Sequence, residues 1–251
     1  MTNHPRPRLI AGALIAGGAL AASGAAAQAE FDEAELFFEL NDTDGDLGLH
    51  SLIDGDDWRR LRIEDPMGRT LFDLSARGRL RKHGLTELSF ESAEPTFDEV
   101  PADVIFGRFP AGTYTIRGIT LDGPKLESEV ELSHVLPAPA GNVEISGVPA
   151  PESCDAALPA VASPIVIDWD AVVSSHPTLG EAGAISIESY EVVIELRGTD
   201  FEAGALLPSS ETSFAVSDEF LALGEGTVKF EILARDENGN RTAIESCFTL
   251  E

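Results

Sequence analysis

Short alternating runs of apolar and polar residues dominate the chain beyond residue 30, and they predict strands rather than helices. Ala34, Leu36, Phe38 and Leu40 alternate with acidic residues and Phe37. After a Gly-Asp turn come Leu47, Leu49 and Ile53, then an alternating run from Trp58 to Ile63. Asp65-Pro66-Met67-Gly68 is a turn by composition. Further runs span Thr70 to Leu74, Thr86 to Phe90 and Gly112 to Ile116. Asp122-Gly123 signals a hairpin, after which Leu126, Val130, Leu132 and Leu136 occupy one face of a long last strand. A short helical turn is expected around Pro101 to Phe106, and no segment beyond the leader keeps a 3.6-residue apolar period over a dozen positions. About seven strands before residue 137 predict a first β-sandwich of immunoglobulin-like type.

From residue 165 onward the runs read IVIDWDAV, SYEVVIEL, TSFAV, VKFEILARDENGN and IESCFTL, each bounded by Gly, Asn, Asp or Pro. Their order and content resemble a fibronectin type III domain. The resemblance places Trp169 as the core tryptophan of the second strand and Tyr190 as the aromatic of the third. Thr212 to Val216 matches the strand before the corner. Val228, Phe230, Ile232 and Ala234 match the inward positions of the next strand, and Asn238-Gly239 its following turn. Val228 stands where the family usually has a tyrosine whose hydroxyl bonds back to the chain, so the corner must be held otherwise. Residues 198 to 211 are longer and more polar than the resemblance implies, and no Arg-Gly-Asp motif is present.

The expectation is therefore an all-β chain of two consecutive immunoglobulin-like or fibronectin type III-like sandwiches: residues 30–137 and 138–251. Pro137-Ala138-Pro139-Ala140-Gly141 is a stiff linker candidate, or it leads directly into a strand carrying Val143 and Ile145. In the family the first and last strands lie near each other, so the resemblance implies a disulfide between Cys154 and Cys247. Export and an even cysteine count favour it, with a pair of free thiols as the alternative.

Ahead of the sandwiches, residues 1–29 have the three parts of a signal peptide: Arg6 and Arg8, an apolar run from Leu9 to Ala27, and Ala27-Gln28-Ala29 for cleavage before Glu30. An uncut anchor is the alternative reading, but the run is mostly Ala and Gly, weak for a membrane span. No second apolar segment is long enough to span, so the expected product is soluble and exported, periplasmic or extracellular.

The chain carries 44 acidic against 17 basic residues, a formal charge of −27. Loss of Arg6 and Arg8 with the leader takes this to −29. Such a surface repels nucleic acid and anionic lipid, which excludes both as partners. It suits solubility, and it also suits calcium binding. Disorder is excluded by the 43% hydrophobic content and its alternation.

Two clusters are candidate sites. Asp42, Asp44 and Asp46 alternate like the first ligands of an EF-hand loop, so calcium is the candidate cofactor. Leu47 and Ile53 stand where that loop needs Gly and Glu, so a plain hairpin turn competes with the metal reading. The second is a basic stripe: eight of the fifteen basic residues beyond the leader fall between Arg59 and Lys82. Arg60 and Arg62 are expected on one strand face and Arg77, Arg79 and Arg81 on another. They would bind an anion, or pair with carboxylates such as Glu64, Asp65 and Asp73.

Catalytic signatures are missing. His50, His83, His134 and His176 are scattered, without H-E-x-x-H, G-x-S-x-G or P-loop patterns. His134 is expected to be structural. Two Trp and two Tyr leave few rings for sugar stacking once Trp169 and Tyr190 join the core. The function expected is non-enzymatic interaction or scaffolding with a protein or cell-surface partner. The alternative is a calcium-dependent or carbohydrate- or anion-binding module.

Overall fold

A computed structural model describes residues 29–251, so the expected leader lies outside the described residues except for Ala29. The Ala29 carbonyl accepts from the Glu127 amide at 2.9 Å. The N-terminal half contains β1 (Glu33–Asn41), β2 (Asp46–Glu64), β3 (Thr70–Ser75), β4 (Leu85–Glu91), β5 (Gly112–Thr120) and β6 (Lys125–Leu132). Two short helices interrupt them, α1 (Leu80–His83) and α2 (Ala102–Arg108).

Six strands thus stand where about seven were expected. The difference lies in β2, a single 19-residue strand over the two runs read separately. Asp54-Gly55-Asp56-Asp57 has turn composition, yet its backbone stays extended and the ladder shifts register between Asp54 and Trp58. Gly55 lies against Phe31, where a β-carbon would come within 3.1 Å of the ring. The first part of β2 pairs with β1 and β4, and its second part with β5 and β3. One strand therefore wraps two sheet segments around one core, in which Phe38, Leu40, Ile53, Trp58, Ile63 and Tyr114 are fully buried. Trp58 satisfies its indole by donating Nε1–H to the Thr86 carbonyl at 3.3 Å. The long last strand stops at Leu132, and Leu136 reaches the same core from the following loop.

The C-terminal half contains β7 (Gly141–Ile145), β8 (Val148–Pro149), β9 (Ala160–Val161), β10 (Val166–Asp170), β11 (Ile187–Leu196), β12 (Glu202–Pro208) and β13 (Ser213–Ala215). Helix α3 (Asp218–Leu221), β14 (Thr227–Asp236) and β15 (Arg241–Leu250) complete it. The order β12-β11-β14-β15 faces a smaller sheet β13-β10-β7-β8, the arrangement of a fibronectin type III-like sandwich. Trp169 and Tyr190 meet edge to face at 5.4 Å between the sheets. The Tyr190 hydroxyl accepts from the Val172 amide at 2.8 Å.

The corner without its tyrosine is built from α3. Ser217 caps that turn by accepting from the Phe220 amide, and Leu221 enters the core. The long polar stretch after β11 becomes β12, an edge strand with alternate residues exposed. Cys154 and Cys247 form a disulfide with Cα atoms 4.9 Å apart, tying the loop after β8 to β15.

The halves share one sheet. β1 pairs in parallel with β15 through Glu39–Arg241, Leu40–Thr242 and Asn41–Ala243. The Asp42 amide extends this contact by donating to the Ala243 carbonyl at 2.9 Å. Residues 133–140 are a docked strap: the Ala138 amide donates to Ser174 O and the His176 amide to Leu136 O.

Candidate functional site

Buried polar groups link the two halves. Asn240 is fully buried at the start of β15. Its Oδ1 accepts from the Phe38 amide, and its Nδ2 donates to the Ser133 and Val135 carbonyls, all at 2.9 Å. Thr242 Oγ1 donates to the Pro137 carbonyl at 2.8 Å. Each bond satisfies a backbone group that strand pairing leaves open, which is why polar residues sit in a buried seam. On the outer face, Arg235 bridges Glu35 and Glu188 at 2.6 and 3.1 Å. Arg241 lies 4.3 Å over the Phe37 ring and 3.7 Å from Glu39. Lys229 sits between Glu231 and Glu245; burial works against its charge, but those two hydrogen bonds win and its pKa is raised.

The acidic turn joins β1 to β2 as a tight hairpin. Asn41 Oδ1 accepts from the Thr43 and Asp44 amides, and Gly45 at φ +68° closes the turn. The three aspartates have different partners. Asp42 accepts from His176 Nε2 at 2.8 Å, whereas Asp44 remains exposed. Asp46 is raised to about 6 by desolvation and by the charges of Glu94, Asp44 and Glu245. His176 Nδ1 accepts from the Thr178 and Leu179 amides, so its hydrogen resides on Nε2 and points at Asp42. The turn's first carboxylate is thus engaged by the other half.

The basic stripe requires a correction. Arg60 and Arg62 do share a face of β2, but Arg77, Arg79 and Arg81 lie on a loop and the single turn of α1, not on a strand. Positive φ at Gly78 and Gly84 breaks the extended run on either side of that turn. Arg60 makes a two-pronged bond with Asp73 at 3.1 and 2.6 Å, which holds the Asp73 carboxyl below its usual range. Arg62 bonds Thr70 and lies 3.3 Å from Glu64, and Arg117 joins Glu64 to Glu127. The basic groove that exists is lined by Arg60, Arg62, Arg117 and Lys125 beside Glu127. Sequence spacing missed Arg117 and Lys125 because strand pairing alone brings β5 beside β2 and β6 beside β5.

The remaining histidines divide by role. His134 bonds the Phe109 carbonyl at 2.8 Å and packs on Phe106, a structural position. His50 is different. It faces Glu91 directly across the β2–β4 ladder and contacts Glu94 through Nε2 at 2.9 Å. Among the described residues, His50, Glu91 and Glu94 are the group of three ligand-type side chains whose ligand atoms all lie within 4.8 Å of one another.

No family profile matches the chain, and no curated protein does. Solved structures overlay on it loosely. A two-domain fibronectin type III segment from chicken tenascin gives a TM-score of 0.29 at 11% identity, covering 87% of this chain and 98% of that one. The fibronectin(III)-like modules of Clostridium thermocellum CbhA give 0.29 at 10%, covering 88% and 93%. A tetra-tandem repeat from the extending region of a large adhesion protein gives 0.29 at 11%, covering 87% of this chain, which spans about half of that structure. The fibronectin type III-like assignment rests on the strand order and the Trp169–Tyr190 core described above.

Proposed function

We propose that the chain is an exported, non-enzymatic two-domain protein that acts as a rigid interaction or scaffolding element. The domain division proposed is the 137/138 boundary, supported by the change of core there: Leu136 packs into the first cluster and Ala138 against the second. The observation that carries the functional reading is the shared sheet. Paired domains normally move against each other unless a substantial interface holds them. Here strand pairing, the Asn240 bonds and the Asp42–His176 contact fix one half on the other. That arrangement suits a part that sets distance and orientation between other molecules. The disulfide and the leader pattern favour an oxidising compartment outside the cytosol. No helix among the described residues is long and apolar enough to cross a membrane.

Two binding readings are weaker. Calcium at Asp42, Asp44 and Asp46 would compete with His176 for Asp42. Anion binding in the groove of Arg60, Arg62, Arg117 and Lys125 would have to displace carboxylates already bonded to the arginines. Fractionation of producing cells, N-terminal sequencing and in-place crosslinking test the proposal together. It expects exported protein beginning at Glu30 and crosslinked to a surface or matrix component. Cytosolic protein with an intact leader would refute export, and an exported chain that crosslinks to nothing would refute the scaffolding role.

A further inference from the structure

The geometry points to a divalent transition-metal site, of the zinc class, formed by His50, Glu91 and Glu94 on the outer face of the N-terminal half. Four independent features build it. His50 and Glu91 are direct register partners on neighbouring antiparallel strands, which sends both side chains to the same face. On its other side His50 stacks on its β1 partner Phe37 at 5.5 Å and 25°, which fixes the direction of the ring.

Glu94 comes from a loop held at both ends. Ser92 exchanges bonds with Leu49, its amide donating to Leu49 O and its Oγ accepting from the Leu49 amide, both at 2.9 Å. Two residues beyond Glu94, Thr96 bridges Asp46, and the Phe97 amide donates to Gly45 O at 2.8 Å. The loop therefore lies along β2 with Glu94 over the strand. Gly48 leaves the space, since a β-carbon there would collide with the Glu94 carboxylate.

The donor set selects the ion. One imidazole nitrogen and two carboxylates suit zinc-class ions, whereas calcium takes oxygen donors and gains nothing from a histidine. Ligand atoms in a tetrahedral zinc site stand about 3.4 Å apart, as bond lengths near 2.1 Å require. The present spacing, within 4.8 Å, closes to that by side-chain rotation. On binding, Nε2 turns its lone pair to the metal, its hydrogen then residing on Nδ1. The exposure of Glu91 leaves an open side for water or for a donor from another molecule. The site also lies in strongly negative surroundings: the Glu94 charge acts to raise the carboxyls of both Glu39 and Asp46.

Calorimetric titration of the disulfide-bonded chain with zinc chloride, repeated with cobalt(II) read by its visible absorption, tests the site. The expected result is one zinc per chain, weakened at least about tenfold by H50Q, E94Q and E91Q, and unchanged by H83Q in α1. G48A, which removes no ligand, should also weaken binding by displacing Glu94. Glu91 is exposed, so E91Q decides the matter if H50Q fails to fold. No binding at about 1 mM zinc, equal competition by calcium, or affinity unchanged in E91Q would each overturn the assignment.

Discussion

His176 Nε2 donates to the Asp42 carboxylate at 2.8 Å, joining two residues 134 positions apart in sequence. The imidazole is almost fully buried, and Nδ1 is occupied by the Thr178 and Leu179 amides. Removing the ring leaves two amides and a carboxylate without their partner. H176A should therefore cost about 1–3 kcal/mol, read by urea denaturation. D42N, which keeps an acceptor for the Nε2 hydrogen, should cost less than half as much.

Asn240 is a more severe case because it is wholly buried. N240A leaves the Phe38 amide and the Ser133 and Val135 carbonyls short of partners. A loss of about 2–4 kcal/mol is expected. N240D should be at least as damaging, since a carboxylate accepts but cannot donate to the two carbonyls. Equilibrium unfolding of both variants checks the order.

Gly180 lies at φ +70° with the His134 carbonyl where its β-carbon would be. The Glu181 amide donates to that same carbonyl at 2.8 Å. G180A should thus push the loop after β10 off the N-terminal half, whereas G198A, at a positive φ but with no atom within 4 Å, should cost only the backbone strain. Comparison of the two melting temperatures separates collision from strain.

Asp46 gives stability a pH dependence of known sign. Its folded pKa of about 6 lies above the ordinary aspartate value of 3.8, so the folded chain holds the proton more tightly. Its contribution is favourable at low pH and is lost as pH rises from about 4 to about 6. Solvent screening of this partly exposed group limits the loss to about 1 kcal/mol. D46N should stabilise the protein by about that amount at pH 7 and flatten this window, as measured by denaturation with chelator present.

The disulfide closes a separation of 93 residues. Its removal in a C154S/C247S double variant should cost up to about 4–5 kcal/mol by loop-closure entropy. Thermal melts of the double variant and of the reduced protein should agree.

Much of the C-terminal half is legible in sequence because period-two burial is regular there. Val228, Phe230 and Ile232 point inward from β14, and Trp169 sits where the resemblance puts it. β2 is harder to read: Asp54 to Asp57 has turn composition, yet Phe31 against Gly55 and the Leu121 amide donating to the Asp57 carbonyl hold it extended. Local pattern carries no information on β1 joining β15, because the partners lie some 200 positions apart. The basic residues are visible as a sequence cluster, but β5 and β6 supply half of the basic side chains that line the actual groove. His50 was visible only as an isolated histidine. Register places Glu91 opposite it, and a docked loop brings Glu94.

Amide hydrogen exchange tests whether the two halves form one rigid body through the β1–β15 pairing. The Asp42 and Phe38 amides cross the seam to Ala243 O and Asn240 Oδ1. Protection of both is expected to be comparable to that of the Ile232 amide in the centre of β14. Exchange of Asp42 and Phe38 at loop-like rates, with Ile232 still protected, would contradict it.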